Sequence, residues 1–155
     1  MKKNVYWISL LIASLSFSTN AFSGDHSKGK ESYLEGQQAV LDAFGWDFKK
    51  AEITIEKINE NNHVLFGLGG NILVNSGRDG VLIVDDQFPQ LKNKIMRAIR
   101  KVGGKKIDYI VNSHWHFDHA EGNLAFGKTG SKIIAHENSR YMMINPEPIN
   151  LVSVV

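Results

Sequence analysis

A chain of 155 residues suffices for one modest domain and is too short for two well-packed ones. With 43% hydrophobic and 22% charged residues it is not a disordered chain, and zero cysteines exclude disulfides, thiolate ligands and a cysteine nucleophile. Of its 18 Lys+Arg, Lys2 and Lys3 belong to an export signal. The remaining 16 are matched by 16 Asp+Glu, a balance that argues against nucleic-acid or anionic-membrane partners.

Residues 1–23 have the form of a secretory signal: two lysines, an apolar run from Val5 to Phe17, and Ala21-Phe22-Ser23 before Gly24. That run is too short and too serine-interrupted (Ser9, Ser14, Ser16) to span a membrane. An exported protein, periplasmic or secreted and free of the membrane after cleavage, is therefore expected, with about 132 residues. Residues 24–50 follow as a lead-in, polar and poorly ordered over 24–36. A short helix carrying Val40, Leu41 and Phe44 then ends near Gly45.

From Ala51 the period changes. Ile53, Ile55 and Ile58 give the alternation of a half-buried strand, residues 59–62 a turn, and residues 63–66 a second strand. Gly69-Gly70-Asn71 reads as a turn, since no phosphate-loop pattern follows, and Ile72-Leu73-Val74 as the next apolar run. After a hairpin turn at 77–80, the wholly apolar Val81–Val84 predicts a strand covered on both faces. Leu91, Ile95, Ala98, Ile99 and Val102 recur at helical spacing, predicting a helix over 89–102 stopped by Gly103-Gly104. Strands over 107–111 and 132–135, a helix over 137–144 ended by Pro146, and a further apolar stretch at 149–155 that could be a strand complete the reading. Strands first, then strand–helix alternation, predict an α/β fold built on one sheet.

The chemistry gathers at His114-Trp115-His116-Phe117-Asp118-His119, where four potential metal ligands fall in six residues at the end of an apolar strand. In extended backbone His114 and His116 point the same way and can reach one ion. Asp118 and His119 follow after the chain turns and can face a second ion, about 3.5–4 Å from the first. Imidazole and carboxylate without thiolate suit zinc first, with iron or manganese as alternatives. The reaction expected is attack by a metal-activated hydroxide on a carbonyl or phosphoryl centre of a small-molecule substrate. A solvated histidine loop is the plain alternative, and the strand-end position weighs against it. Trp115 and Phe117 are expected to anchor the loop. Asp85 and Asp86 end a buried strand and read equally well as helix-capping groups. His26, His63 and His136 are not expected to be ligands.

The pattern His114-x-His116-x-Asp118-His119 resembles the signature of the metallo-β-lactamase-fold hydrolases. The likeness runs back through the helix 89–102, Gly80–Asp85 and Gly69-Gly70-Asn71, and forward to Ile133–His136, so that it covers residues 50–145. It implies a zinc-dependent hydrolase acting on an amide, ester, thioester or phosphodiester, with two ions per complete site. By resemblance His114 and His116 belong to the first metal site, Asp118 and His119 to the second. Asp118 also holds the attacking water in line, and Asp85 orients a ligand from behind. The resemblance implies an αββα sandwich of two similar halves, of which residues 51–155 would be the N-terminal half: a mixed sheet with flanking helices, one face exposed and able to associate. The further ligands of the family's sites come from later segments. The alternative expectation is therefore a truncated, inactive fragment that binds metal weakly at most.

Overall fold

A computed structural model describes residues 26–145, with side chains from Tyr33 onward. The export signal expected over 1–23 and the strand expected at 149–155 lie outside those residues. The described chain runs α1 (His26–Ala43), β1 (Thr54–Lys57), β2 (Asn62–Phe66), β3 (Ile72–Gly77), β4 (Gly80–Val84), α2 (Lys92–Lys101), β5 (Tyr109–Asn112), α3 (Phe117–Ala120), α4 (Asn123–Phe126), β6 (Lys132–Ala135) and α5 (Glu137–Ile144). Among the described residues, no helix is long and apolar enough to cross a membrane.

All six strands form one sheet in sequence order. β1 to β4 are antiparallel hairpin neighbours, while β4, β5 and β6 run parallel. Parallel neighbours need a crossover, which α2 supplies between β4 and β5, and α3 with α4 between β5 and β6. The result is the expected α/β mixed sheet with flanking helices.

One face of this sheet is packed. Leu65, Val74, Ile83 and Ile110 point into it and meet Ile95 and Ile99 of α2, all fully buried. The 3.6-residue spacing on α2 turns Arg97 and Arg100 outward while its isoleucines go in, each burial contributing about 1.5–3 kcal/mol. The opposite face carries Leu73, Val84 and Val111 in register, half-buried, and ends at Ile134, exposed on the edge strand. β4 accordingly alternates between buried Val81 and Ile83 and half-buried Leu82 and Val84. It is not covered on both faces as its composition suggested.

Two other expectations change. Residues 26–36, read as a disordered lead-in, form the first part of α1. The lysines and glutamates there are good helix formers and outweigh Gly29 and Gly36. The helix does end where expected. Gly45 adopts φ +62°, its N–H bonds to the Asp42 carbonyl (3.1 Å), and the Trp46 N–H reaches back to Leu41 (2.9 Å). This double bond pattern requires a left-handed residue and so favours glycine. The first strand is also shorter than read, leaving Ile58 58% exposed beyond its end.

Candidate metal centre

Because β4 and β5 are parallel neighbours in register (Val84 beside Val111), the residues after both strands emerge side by side at one edge. Parallel sheets place their ligand crevices at such carboxyl ends. The Asp85 N–H extends the ladder to the Val111 carbonyl (2.9 Å). The Asp86 N–H then bonds to the His119 carbonyl and the Gly122 N–H to the Gln87 carbonyl, both at 2.8 Å. These bonds tie residues 85–87 to the motif's own backbone. Asp85 (φ 64°) and Gln87 (φ 53°) hold left-handed backbone that costs a non-glycine residue about 1–2 kcal/mol.

The motif divides in two. His114 to His116 lie in irregular backbone beyond β5, and His116 (φ −61°, ψ 145°) opens the short helix α3, which carries Asp118 and His119. His114 Nε2 stands 3.1 Å from His116 Nδ1, and His119 Nε2 stands 3.4 Å from Asp118 Oδ2. Two donors on a tetrahedral zinc at the usual bond lengths are separated by about 3.3 Å, so each pair has the span of one coordination edge. The His114 and His119 rings lie 4.1 Å apart, which places the two pairs beside each other.

Asp85, His114 and His119 also bring one potential donor atom each within 4.8 Å of one another. Asp85 is the poorest ligand of this trio. It is only 5% exposed, and both of its oxygens are occupied. Oδ1 accepts from the Ser113 N–H, and Oδ2 accepts from Ser113 Oγ and from His119 Nδ1, each at 2.7 Å. A carboxylate committed in this way orients its neighbours.

Burial holds the His114 imidazole below its ordinary pKa. His119 and His116 push the same way, against the weaker pull of Asp85 and Asp118. The imidazole is therefore neutral near pH 7 and keeps a lone pair for a cation.

Several residues of this centre gave no sign of their contacts in the sequence. A Cβ on Gly70 would collide with the His119 ring, and one on Gly69 would lie 2.5 Å from Asp118 Cβ. The bend read as a plain turn is thus also the surface on which Asp118 and His119 rest. The Gly70 N–H bonds to the Asp118 carbonyl (3.3 Å), and Gln87 Nε2 donates to the Gly70 carbonyl. From α1, Gln37 Nε2 donates to Glu121 Oε1 at 2.8 Å. Tyr33, one turn earlier, has its phenol pushed up to about 12 by burial, with Glu121 and Asp118 adding to the shift.

The remaining aromatic and histidine residues play other parts. Phe117 packs on the buried Phe88 ring (5.8 Å between centroids), and Trp115 lies edge-on to His116 (4.6 Å). His136 caps α5, its Nδ1 accepting from the Asn138 N–H at 3.2 Å. His63 is buried on β2.

The sequence model of the metallo-beta-lactamase superfamily matches residues 61–154. Solved structures agree. BJP-1, a subclass B3 metallo-beta-lactamase of Bradyrhizobium japonicum, is 26% identical, with 59% of this chain and 36% of that chain covered at a TM-score of 0.53. The subclass B3 enzyme described as the first with an active-site glutamic acid is 25% identical, with 66% and 39% covered at a TM-score of 0.56. The metallo-beta-lactamase SMB-1, solved with mercaptoacetic acid, is 26% identical, with 62% and 38% covered at 0.54. The matched region thus spans less than two fifths of each of these proteins. With its motif at the paired ends of β4 and β5 and a family match over most of its length, the chain belongs to the metallo-beta-lactamase superfamily.

Proposed function

We propose that this chain carries the metal-binding motif of an exported, zinc-dependent hydrolase. One observation carries the reading: the two donor pairs, His114 with His116 and Asp118 with His119, each have the span of a single zinc edge. His114 and His116 would hold one ion, Asp118 and His119 the other. The all-nitrogen and oxygen donor set suits zinc ahead of iron or manganese. When bound, such ions polarise the oxygen of a substrate carbonyl or phosphoryl group and make a hydroxide available near neutral pH.

The protein's own residues supply the positioning. Asp118 would accept a hydrogen bond from a water at the site and hold it in line. Asp85 fixes the ring of His119 from behind, and Gly69 and Gly70 leave room for both motif residues to pack against the bend. The N-terminal signal pattern supports export. The limited coverage of the solved relatives supports reading residues 51–155 as one half of a two-half sandwich, its half-buried face of Leu73, Val84 and Val111 turned to the other half.

The test is zinc binding by competition with a chromophoric chelator, followed by turnover of a β-lactam, a thioester and a phosphodiester. Metal-dependent hydrolysis of any of the three supports the reading, and none with zinc bound removes independent activity. A second reading, an inactive fragment with weak metal binding, is favoured by the donor count. Among the described residues each pair offers two donors where catalytic zinc takes three protein ligands, and the third group nearby, Asp85, is already committed.

A further inference from the structure

We propose that Ser113 is a positioning residue that sets the tautomer of His114, so that one carboxylate, that of Asp85, orients both His114 and His119. The inference rests on the metal reading for its purpose and on hydrogen-bond geometry for its content.

The bonding leaves little freedom. A carboxylate only accepts, so the one hydroxyl proton of Ser113 goes to Asp85 Oδ2 across 2.7 Å. Ser113 Oγ also lies 2.9 Å from His114 Nδ1. With its proton committed, the hydroxyl can only accept there, and His114 Nδ1 must carry the ring hydrogen. His114 Nε2, the atom 3.1 Å from His116 Nδ1, is then the lone-pair nitrogen. The same carboxylate oxygen accepts from His119 Nδ1, which frees His119 Nε2 on the side of Asp118. One oxygen thus fixes one ring directly and the other through a hydroxyl relay.

The backbone supports the arrangement. The Ser113 N–H bond to Asp85 Oδ1 locks the carboxylate plane, and the left-handed φ of Asp85 (64°) is a strained conformation that these bonds can hold. Strain kept at a residue whose carboxylate meets three donors is expected where orientation matters. Asp85 and Ser113 lie 28 positions apart, at the ends of neighbouring parallel strands, so the relay exists only in the folded sheet.

The test is a long-range proton–nitrogen NMR correlation of the histidine rings in the metal-free chain, read beside zinc affinity. His114 and His119 are expected as Nδ1–H tautomers in the unaltered protein. Ser113→Ala keeps the backbone bond and removes the relay. It should move His114 toward the Nε2–H form that an unconstrained imidazole favours, leave His119 unchanged, and weaken zinc binding about tenfold. Ser113→Thr retains the hydroxyl and should restore both the tautomer and, within about threefold, the affinity. An Nε2–H signal from His114 in the unaltered chain, or an unmoved tautomer in a folded Ser113→Ala, overturns the proposal. Tautomers that respond as expected in a chain that takes up no zinc support the Ser113 assignment and remove the metal reading, which keeps the two failures distinct.

Discussion

Asp85 and Asp86 are consecutive and both buried, yet the layers around them treat polarity in opposite ways. Around Asp85, at the face of the metal motif, both carboxylate oxygens, the Ser113 hydroxyl and Nδ1 of both His114 and His119 have partners at 2.7–2.9 Å. The inner layer is Asp86, fully buried and with no hydrogen-bond partner among the described residues at either carboxylate oxygen; Gln87 Oε1, Asn112 Nδ2 and Asn123 Oδ1 are likewise buried without one. The outer layer spends its hydrogen bonds on orientation. The inner layer carries the desolvation cost, and the carboxyl of Asp86 responds by holding its proton, its pKa pushed up to about 8 by burial first and then by the neighbouring Asp85. The Gly122 N–H opposes that shift but is itself bonded to the Gln87 carbonyl.

The comparison breaks most sharply at Asp85. Asp85→Asn preserves shape but turns an amide donor toward either Ser113 or His119. Either the amide meets the Ser113 N–H, donor against donor, or it meets Ser113 Oγ and His119 Nδ1, which can accept it only by giving up the proton arrangement that orients both rings. The expected result is a folded protein about 3 kcal/mol less stable, with zinc affinity reduced about 100-fold. Chemical unfolding and chelator competition measure the two effects, and unchanged affinity would show that the outer layer does not orient the motif.

Next in size is Gly70→Ala, which tests whether the glycine bend belongs to the outer layer. The added methyl occupies the space of the His119 ring. Overpacking of this kind costs about 1–3 kcal/mol. The displaced ring should also lose its bond to Asp85, visible as a changed His119 tautomer. Gly77→Ala, where an added Cβ meets nothing within 4 Å, is the control and should change neither stability nor ring signals.

These residues mark the limit of what the sequence discloses. The motif is legible because His114, His116, Asp118 and His119 sit within six positions and follow an apolar strand. β2 to β6 are legible as short apolar runs between turn signals, and α2 from its period. Ser113, Gly70 and Gln37 are not, because each acts on a group far along the chain: Ser113 on Asp85, Gly70 on His119, Gln37 on Glu121, 84 positions away. Nothing local distinguishes that serine from any other strand-end serine. The reading of β4 as doubly covered went wrong for a related reason, since coverage belongs to the layer and not to the strand. The start of α1 was missed because two glycines were given more weight than the helix formers around them.

The inner layer is tested by pH. An aspartate retained neutral in the fold up to about pH 8 binds its proton more tightly than in the unfolded chain, where its pKa is near 3.8. Its contribution is therefore fully present below pH 3.8 and is lost as pH rises through about 8. Asp86→Asn removes that dependence. The variant should gain on the unaltered protein by about 2 kcal/mol between pH 6 and pH 8, seen as diverging melting temperatures. Parallel curves would mean that Asp86 is hydrated and that the two layers do not differ as described.

The smallest effect expected is at the seam between α1 and the motif, where neither layer obviously applies. Glu121 is half-buried, and burial raises its pKa while the bond from Gln37 pulls it back. Gln37→Ala removes that bond and should cost about 0.5–1.5 kcal/mol, with Val40 and Leu41 still holding α1 against the core. Its informative readout is local: hydrogen exchange in α1 should accelerate while β4 and β5 stay protected. If zinc affinity stays within about threefold, α1 is packing behind the motif. If it falls further, Gln37 and Glu121 act with Asp85 and Ser113 in holding the motif, and the oriented layer extends into the helix that precedes the sheet.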